Sequence, residues 1–420
     1  MSARYHRESS PPAAPRVITH AMPEAQSVAL GIFVDVGSRD EPPALHGASH
    51  ALEHMLFKGT RSLDVHALSA RLDALGGQAN AWTSRERTCF HIQVLREHWR
   101  EALDLLAEMI CAPALPEDEW RRERDVIEAE MAMAEDNPED WAMDQHMAAL
   151  FPNDALGRNV LGTRDSLAGI AAGDLRAYLQ RHYVAQRMLV AAAGAIEHRA
   201  LLEAVRHIAW RQGEFLGARA PVRMHGGLHR VAREGEQAQL LVSYPGVAAA
   251  DDARPLAWLG NQVLGGGMSS HLFRELREKR GLAYSIGSHL GTFTTQGLWT
   301  ISCGCAPAQA IEAARVLSAT LARFVDAITE EELARAKRQL VIQLRMAMDS
   351  VEGQMMYLGA RLDEPELHSP LDWVARIERV SLDALRGWLR DRLARPPLWT
   401  IVAPPSELDR VCASIAPCLN

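Results

Sequence analysis

Gly47-Ala48-Ser49-His50-Ala51-Leu52-Glu53-His54 places two histidines four residues apart with a glutamate between them. On a helix four residues turn through about 400°, so the two imidazoles project from nearly one face, a turn apart. Glu53 falls beside them, displaced by roughly 60° around the axis. Two neutral imidazoles next to a carboxylate are what a catalytic zinc centre needs: ligands for the ion and a base for its water. The order is H-x-x-E-H, the reverse of H-E-x-x-H. The bland alternative is a half-buried helix in a chain that has 17 histidines. A structural zinc site has four protein ligands, whereas a catalytic one has three and a position for water. Two histidines therefore call for one more ligand, expected to be a carboxylate on another element.

The run Glu123-Arg124-Asp125-Val126-Ile127-Glu128-Ala129-Glu130-Met131 offers candidates. Glu123 and Glu130 are seven residues apart, two helical turns, and share a face that Glu128 does not. An acidic, salt-bridged surface helix would read the same way.

At this point the chain resembles the pitrilysin-type inverzincins, the family of insulin-degrading enzyme and mitochondrial processing peptidase. There a glutamate ligand follows the H-x-x-E-H helix at a similar interval; here Glu130 follows His54 by 76 residues. Val34–Glu41, Met55–Thr60, Asn80–Glu86 and Gly157–Thr163 also look like segments of that family. The resemblance runs over nearly the whole chain and is closest to the short, two-domain processing-peptidase branch. It implies that His50, His54 and Glu130 hold one zinc ion per chain, that Glu53 is the general base, and that Glu123 supports the site from outside the metal shell. Arg277 and Tyr284 match an Arg/Tyr pair that reaches over the zinc from the opposite domain, Arg277 gripping substrate carbonyls and Tyr284 the oxyanion. Family members often have Arg where this chain has His271. The activity implied is that of a zinc metalloendopeptidase hydrolysing extended or unfolded peptides. Substrate would add as a strand along Asn80, Ala81, Trp82 and Thr83, with Trp82 lining a side-chain pocket. The alternative is a non-catalytic peptide-binding or scaffold subunit on the same frame, although such members characteristically lack motif residues that this chain has.

Hydrophobic periodicity places the motifs on two similar halves. In the first, Ser27–Val36 alternates as a strand, Gly76-Gly77 opens a hairpin to Thr88–Val94, and Glu97–Ile110 and Leu115–Phe151 read as helices. In the second, Ala238–Tyr244 is a strand, and Pro255–Leu264 and Ser269–Lys279 are helices. Ala283–His289 with Leu298–Cys303 then makes a hairpin, followed by the helix Ala308–Asp326. Thr329 and Glu332 form a capping box. Aligning the halves at an offset of 213 puts Ala336 and Gln343 where Glu123 and Glu130 stand, and no second H-x-x-E-H exists. The expected fold is α+β: two homologous domains, 1–218 and 219–420, each a mostly antiparallel sheet packed with helices. Gly213–His229 is the expected link, and the resemblance implies that the domains face each other across a substrate chamber. Gly265-Gly266-Gly267 has no following Lys-Ser/Thr and reads as an interhelical turn rather than a phosphate cradle.

At 420 residues and a net charge of −8, with pI near 6.1 and no basic run, the chain is not built for nucleic acid. No apolar stretch approaches a membrane span. The amino terminus, Met1 to Pro12, is polar and lacks an apolar signal core. Six cysteines, among them Cys89, Cys111, Cys412 and Cys418, have no C-x-x-C spacing, and Cys303 and Cys305 should share one core-facing side of a strand. These features suit a reducing cytoplasm. One chain has both the zinc and the Arg/Tyr motifs, so a homodimer of competent copies is the natural expectation.

Overall fold

The computed structural model describes residues 7–213, 217–363 and 368–415, so Cys418 lies outside the described residues, as does part of the expected link. Runs rich in strand-favouring Val, Ile, Phe and Thr build two mixed, mostly antiparallel sheets. The first contains β1 (Arg7–Ser9), β2 (Arg16–Ala21), β3 (Ser27–Val34), β4 (Gln78–Thr83), β5 (Thr88–Leu95) and β6 (Met188–Gly194). Its order is β1-β2-β6-β3-β5-β4. The second contains β7 (Gly227–Ala232), β8 (Ala238–Pro245), β9 (Ser285–Thr292), β10 (Gly297–Cys305) and β11 (Leu398–Ala403), in the order β7-β11-β8-β10-β9. Apart from β1 the two orders correspond strand for strand, each with a single parallel pair, β2 with β6 and β7 with β11. The α+β class with two similar halves is therefore the observed architecture.

The chain forms two compact units that exchange segments. One comprises residues 1–132, 158–218 and 346–367; the other 133–157, 219–345 and 368–420. The long helical stretch expected over Leu115–Phe151 is two helices, Glu117–Asp136 and Pro138–Leu150. Pro138 has no N–H to donate into the preceding turn, and Asn137 caps the new helix through Glu139 N (3.0 Å). That second helix packs on β8 and β11, in the unit of the other half. Conversely, Val351–Gly359, from the second half, lies on β2, β3 and β6. Its Val351, Met355 and Leu358 close a cluster with Ile18, Ala29 and Phe33. Gly359 is required there, because a Cβ would meet the Phe33 ring at 2.0 Å.

Two further expectations are corrected. Gly227–His229, placed in the link, opens β7, because its carbonyls and N–H groups find a ladder on β11. Within Ser269–Lys279, residues Phe273–Glu278 form a π turn, with Lys279 N donating to Arg274 O at 3.0 Å. The Thr329/Glu332 capping box forms as expected, and Cys303 and Cys305 are buried in the second core. No described helix is long and apolar enough to cross a membrane.

The exchanged helix Pro138–Leu150 is also tied by polar contacts. His146 is fully buried and bonds Thr400 Oγ1 through Nδ1 and Ser243 Oγ through Nε2, each at 2.7 Å. Burial, and then His229, push the imidazole down to about 3 from 6.5. Between those values the unfolded chain binds the extra proton, so this contribution is complete above pH 6.5 and is lost as pH falls toward 3. The thermal midpoint should therefore drop progressively below pH 6.5, and His146→Gln should flatten that slope even if it lowers the midpoint. Met355→Ala should cost about 2–5 kcal/mol in denaturant unfolding; an unchanged midpoint would mean that the helix does not hold the first sheet.

Candidate metal centre

The histidine helix runs Ala48–Leu56 and buries Ala48, Ala51, Leu52, Met55 and Leu56, which leaves His50, Glu53 and His54 on the opposite face. Its start is fixed by two devices. Gly47 is left-handed (φ 97°), and a Cβ there would meet Leu161 O at 2.9 Å. The carboxylate of Glu41 accepts from Gly47 N (2.8 Å) and Ser49 N (2.7 Å), occupying donors that a helix start leaves open. Burial raises the Glu41 carboxyl to about 7, against the pull of those two N–H groups. Ser49 Oγ in turn meets Tyr178 OH at 3.1 Å.

Glu117–Asp136 brings the third donor. Its Trp120, Glu123, Ile127 and Met131 are buried, and Trp120 Nε1 donates to Ile170 O at 2.7 Å. Glu130, one turn from Ile127, is left 40% exposed on its side chain. Glu130 Oε2 stands 3.7 Å from His50 Nε2 and 3.6 Å from His54 Nε2. One donor atom from each residue lies within 4.8 Å of the other two. Those separations are too long for hydrogen bonds. They are close to the roughly 3.3 Å between donors that each sit about 2.0–2.1 Å from one tetrahedral zinc. The residues present fit the ion.

The electrostatics agree with that geometry. Burial, and then the neighbouring His54, hold the His50 imidazole down at about 4, so it is neutral near pH 7 with a lone pair to give. His54 Nδ1–H donates to Glu123 Oε2 (3.0 Å), which aims Nε2 at the site, and Lys58 Nζ holds the other Glu123 oxygen at 2.7 Å. His50 has no such support: its Nδ1 is buried without a hydrogen-bond partner among the described residues. Glu53 is raised by burial, partly offset by a hydrogen bond from Thr83 Oγ1 (2.5 Å).

The structure thus gathers His50, Glu53, His54, Glu123, Glu130 and Thr83 in one unit. β4 is the edge strand of the first sheet. Ala79 and Ala81 turn to the core on the histidine-helix side, while Trp82 packs on the other face with Phe33 at 6.3 Å. Asn80 Oδ1 accepts from Ala81 N at 2.9 Å. Arg277 and Tyr284 belong to the second unit. Arg277 lies in the π turn with its guanidinium 5.3 Å from the Phe273 ring, and Tyr284 is 59% exposed at the start of β9. His271, the departure noted above, is buried and bonds Glu332 (3.1 Å), so it serves the local turn. Sequence reasoning missed Glu41 and Lys58. Lys58 sits one turn beyond His54, a spacing that could have flagged it; nothing marks Glu41, whose partners are backbone.

Comparison with known proteins accords with this centre. Residues 16–164 match the family described as insulinase (peptidase family M16), and 169–340 match the peptidase M16 inactive domain. The chain is 36% identical, over 95% of its length and 89% of the relative's, to an uncharacterized zinc protease of Streptomyces coelicolor. It is 32% identical, over 94% of its length and 97% of the relative's, to one of Bacillus subtilis. The chain belongs to peptidase family M16. The fold matches a solved peptidase M16 inactive domain from Pseudomonas fluorescens (TM-score 0.87, 21% identity, 95% of this chain and 98% of that one). It also matches a protease from Helicobacter pylori (TM-score 0.87, 20% identity, 95% and 99%).

Because Glu123 orients only one of the two imidazoles, Glu123→Ala should weaken metal binding by about 10–100-fold, the usual cost of losing an outer partner. Competition with a chelator would measure it; an unchanged affinity would show that His54 needs no such support.

Proposed function

We propose that the protein is a zinc metalloendopeptidase that hydrolyses peptide bonds in extended or unfolded peptides. The observation that carries this is the Nε2/Nε2/Oε2 triangle of His50, His54 and Glu130, with Glu53 on the same helix face. Zinc held by these three residues would polarise the scissile carbonyl and acidify a water from about 15.7 toward 7.

The remaining work falls to side chains of this chain. Glu53 takes the proton of the attacking water and passes it to the leaving amine; burial, by raising its pKa, suits it to both transfers. Thr83 fixes the Glu53 carboxylate through Oε2 and leaves the other oxygen for that proton. The free edge of β4 supports binding of substrate as an added strand, so that main-chain hydrogen bonds along Asn80–Thr83 select extended chains over folded ones. Arg277 and Tyr284 are assigned to carbonyl binding and oxyanion stabilisation. Arg277 and Tyr284 are both exposed, which supports their availability for it. The reading includes a cytoplasmic homodimer, which rests on the composition and on both motifs lying in one chain.

The test is Glu53→Gln, assayed on a mixed unfolded-peptide library with cleavage sites mapped by mass spectrometry. The variant should retain zinc and lose cleavage by several orders of magnitude. Cleavage at the wild-type rate with zinc bound would remove Glu53 from the mechanism, and absence of cleavage by the zinc-loaded wild type would favour the peptide-binding scaffold.

A further inference from the structure

Away from the metal centre, the second unit has a cleft of about 520 Å³ at the end of the sheet where β8 leaves and β11 begins. Three guanidinium groups line it, those of Arg223, Arg392 and Arg395, against one carboxylate, Asp251. The cations come from separate pieces of chain. Arg223 lies in the irregular segment before β7, whereas Arg392 and Arg395 stand at the end of the helix Leu382–Leu393.

Arginines at a helix end ordinarily answer its dipole. Arg395 fits that role, since Asp391 pairs with it at 3.0 Å. Arg392 shares that same Asp391 at a longer 3.6 Å. Arg392 is 17% exposed on its side chain, lies against the Trp388 ring, and gives Nη1 to Gly246 O at 3.3 Å; its Nε is buried without a hydrogen bond. Burial and the neighbouring Arg395 hold its guanidinium below the usual range, against the opposite pull of Asp391 and Asp251. Arg223 is exposed and has no ion-pair partner among the described residues. Asp251, whose Oδ1 accepts from Ala253 N (2.8 Å) at the next helix start, is the one carboxylate lining the cleft against three cations. Gln296, on the β9–β10 turn, adds a buried Nε2 with no acceptor. Between these donors the walls are apolar, formed by Val222, Met224, Ala248 and Pro396.

We propose that this cleft is a binding site for a small organic anion, its carboxylate or phosphate head held by Arg223, Arg392 and Arg395 and its apolar body seated on Val222 and Met224. Planar guanidinium groups pair with both oxyanions in forked geometry, so the head-group chemistry is shared and the source is left to experiment. The inference is independent of peptidase activity, since no group of the metal centre takes part.

The test is calorimetric titration of the full chain carrying Glu53→Gln with three probes: inorganic phosphate, N-acetyl-leucine and its neutral amide. Phosphate or N-acetyl-leucine should bind saturably, and the amide should bind at least tenfold more weakly than the acid. Arg223→Ala and Arg395→Gln, both at exposed positions, should each weaken the anion by about tenfold while the thermal midpoint is unchanged. Tighter phosphate assigns a phosphate head; tighter N-acetyl-leucine assigns a carboxylate. Equal affinity for acid and amide, no saturable binding, or binding indifferent to both substitutions would overturn the proposal. Activity of the wild type on peptides plays no part in the readout, so its failure and that of this site are separable.

Discussion

The grip of Glu41 on the start of the histidine helix is the interaction on which the metal centre depends. A helix of nine residues, Ala48–Leu56, is too short to hold itself in water. Its direction is set by the left-handed Gly47, by the two N–H groups that Glu41 accepts, and by the apolar face it buries. With the axis fixed, His50 and His54 project from one face, and Glu130 needs its own helix to be anchored. Trp120 and Ile127 do that from the buried side. The metal donors are thus positioned by groups outside the donor triangle. The two histidines are nonetheless unequal, one steered by Glu123 and Lys58, the other by packing alone.

Duplication explains much of the frame around that centre. Each half lays down the same five strands in the same order, and each lends one helix to the sheet of the other. The exchange means that neither sheet is completed by its own half of the sequence. At the offset of 213 the second half has Ala336 and Gln343 in place of Glu123 and Glu130, and its buried His271 and Glu332 brace a turn. The match of residues 169–340 to a domain described as inactive accords with that difference.

Helical geometry makes spacing equivalent to direction, which sets the two histidines on one face and leaves Glu123 and Glu130 as candidates; the family resemblance is what singles out Glu130. His50 and His54 at four residues, and Glu123 and Glu130 at seven, fall on shared helix faces by spacing alone. The strands and the Thr329/Glu332 cap were legible for similar reasons of period and local bonding. What was not legible depended on long-range or backbone partners. Asn137-Pro138 is a stop signal, yet the apolar periodicity on either side masked it, and nothing local says that the following helix joins the other sheet. Gly227–His229 looked like link because its strand character comes from β11, about 170 residues away. The π turn over Phe273–Glu278 has the composition of an ordinary helix. Glu41 was invisible for the same kind of reason, since its partners are N–H groups that every residue has.

The account stands on His50, His54 and Glu130 sharing one ion. X-ray absorption at the zinc edge on purified protein addresses this directly. The expected first shell is two imidazole nitrogens and two oxygens, one from a carboxylate and one from solvent, at about 2.0–2.1 Å. A single-imidazole or sulfur-bearing shell, or a spectrum unchanged by Glu130→Gln, would contradict it.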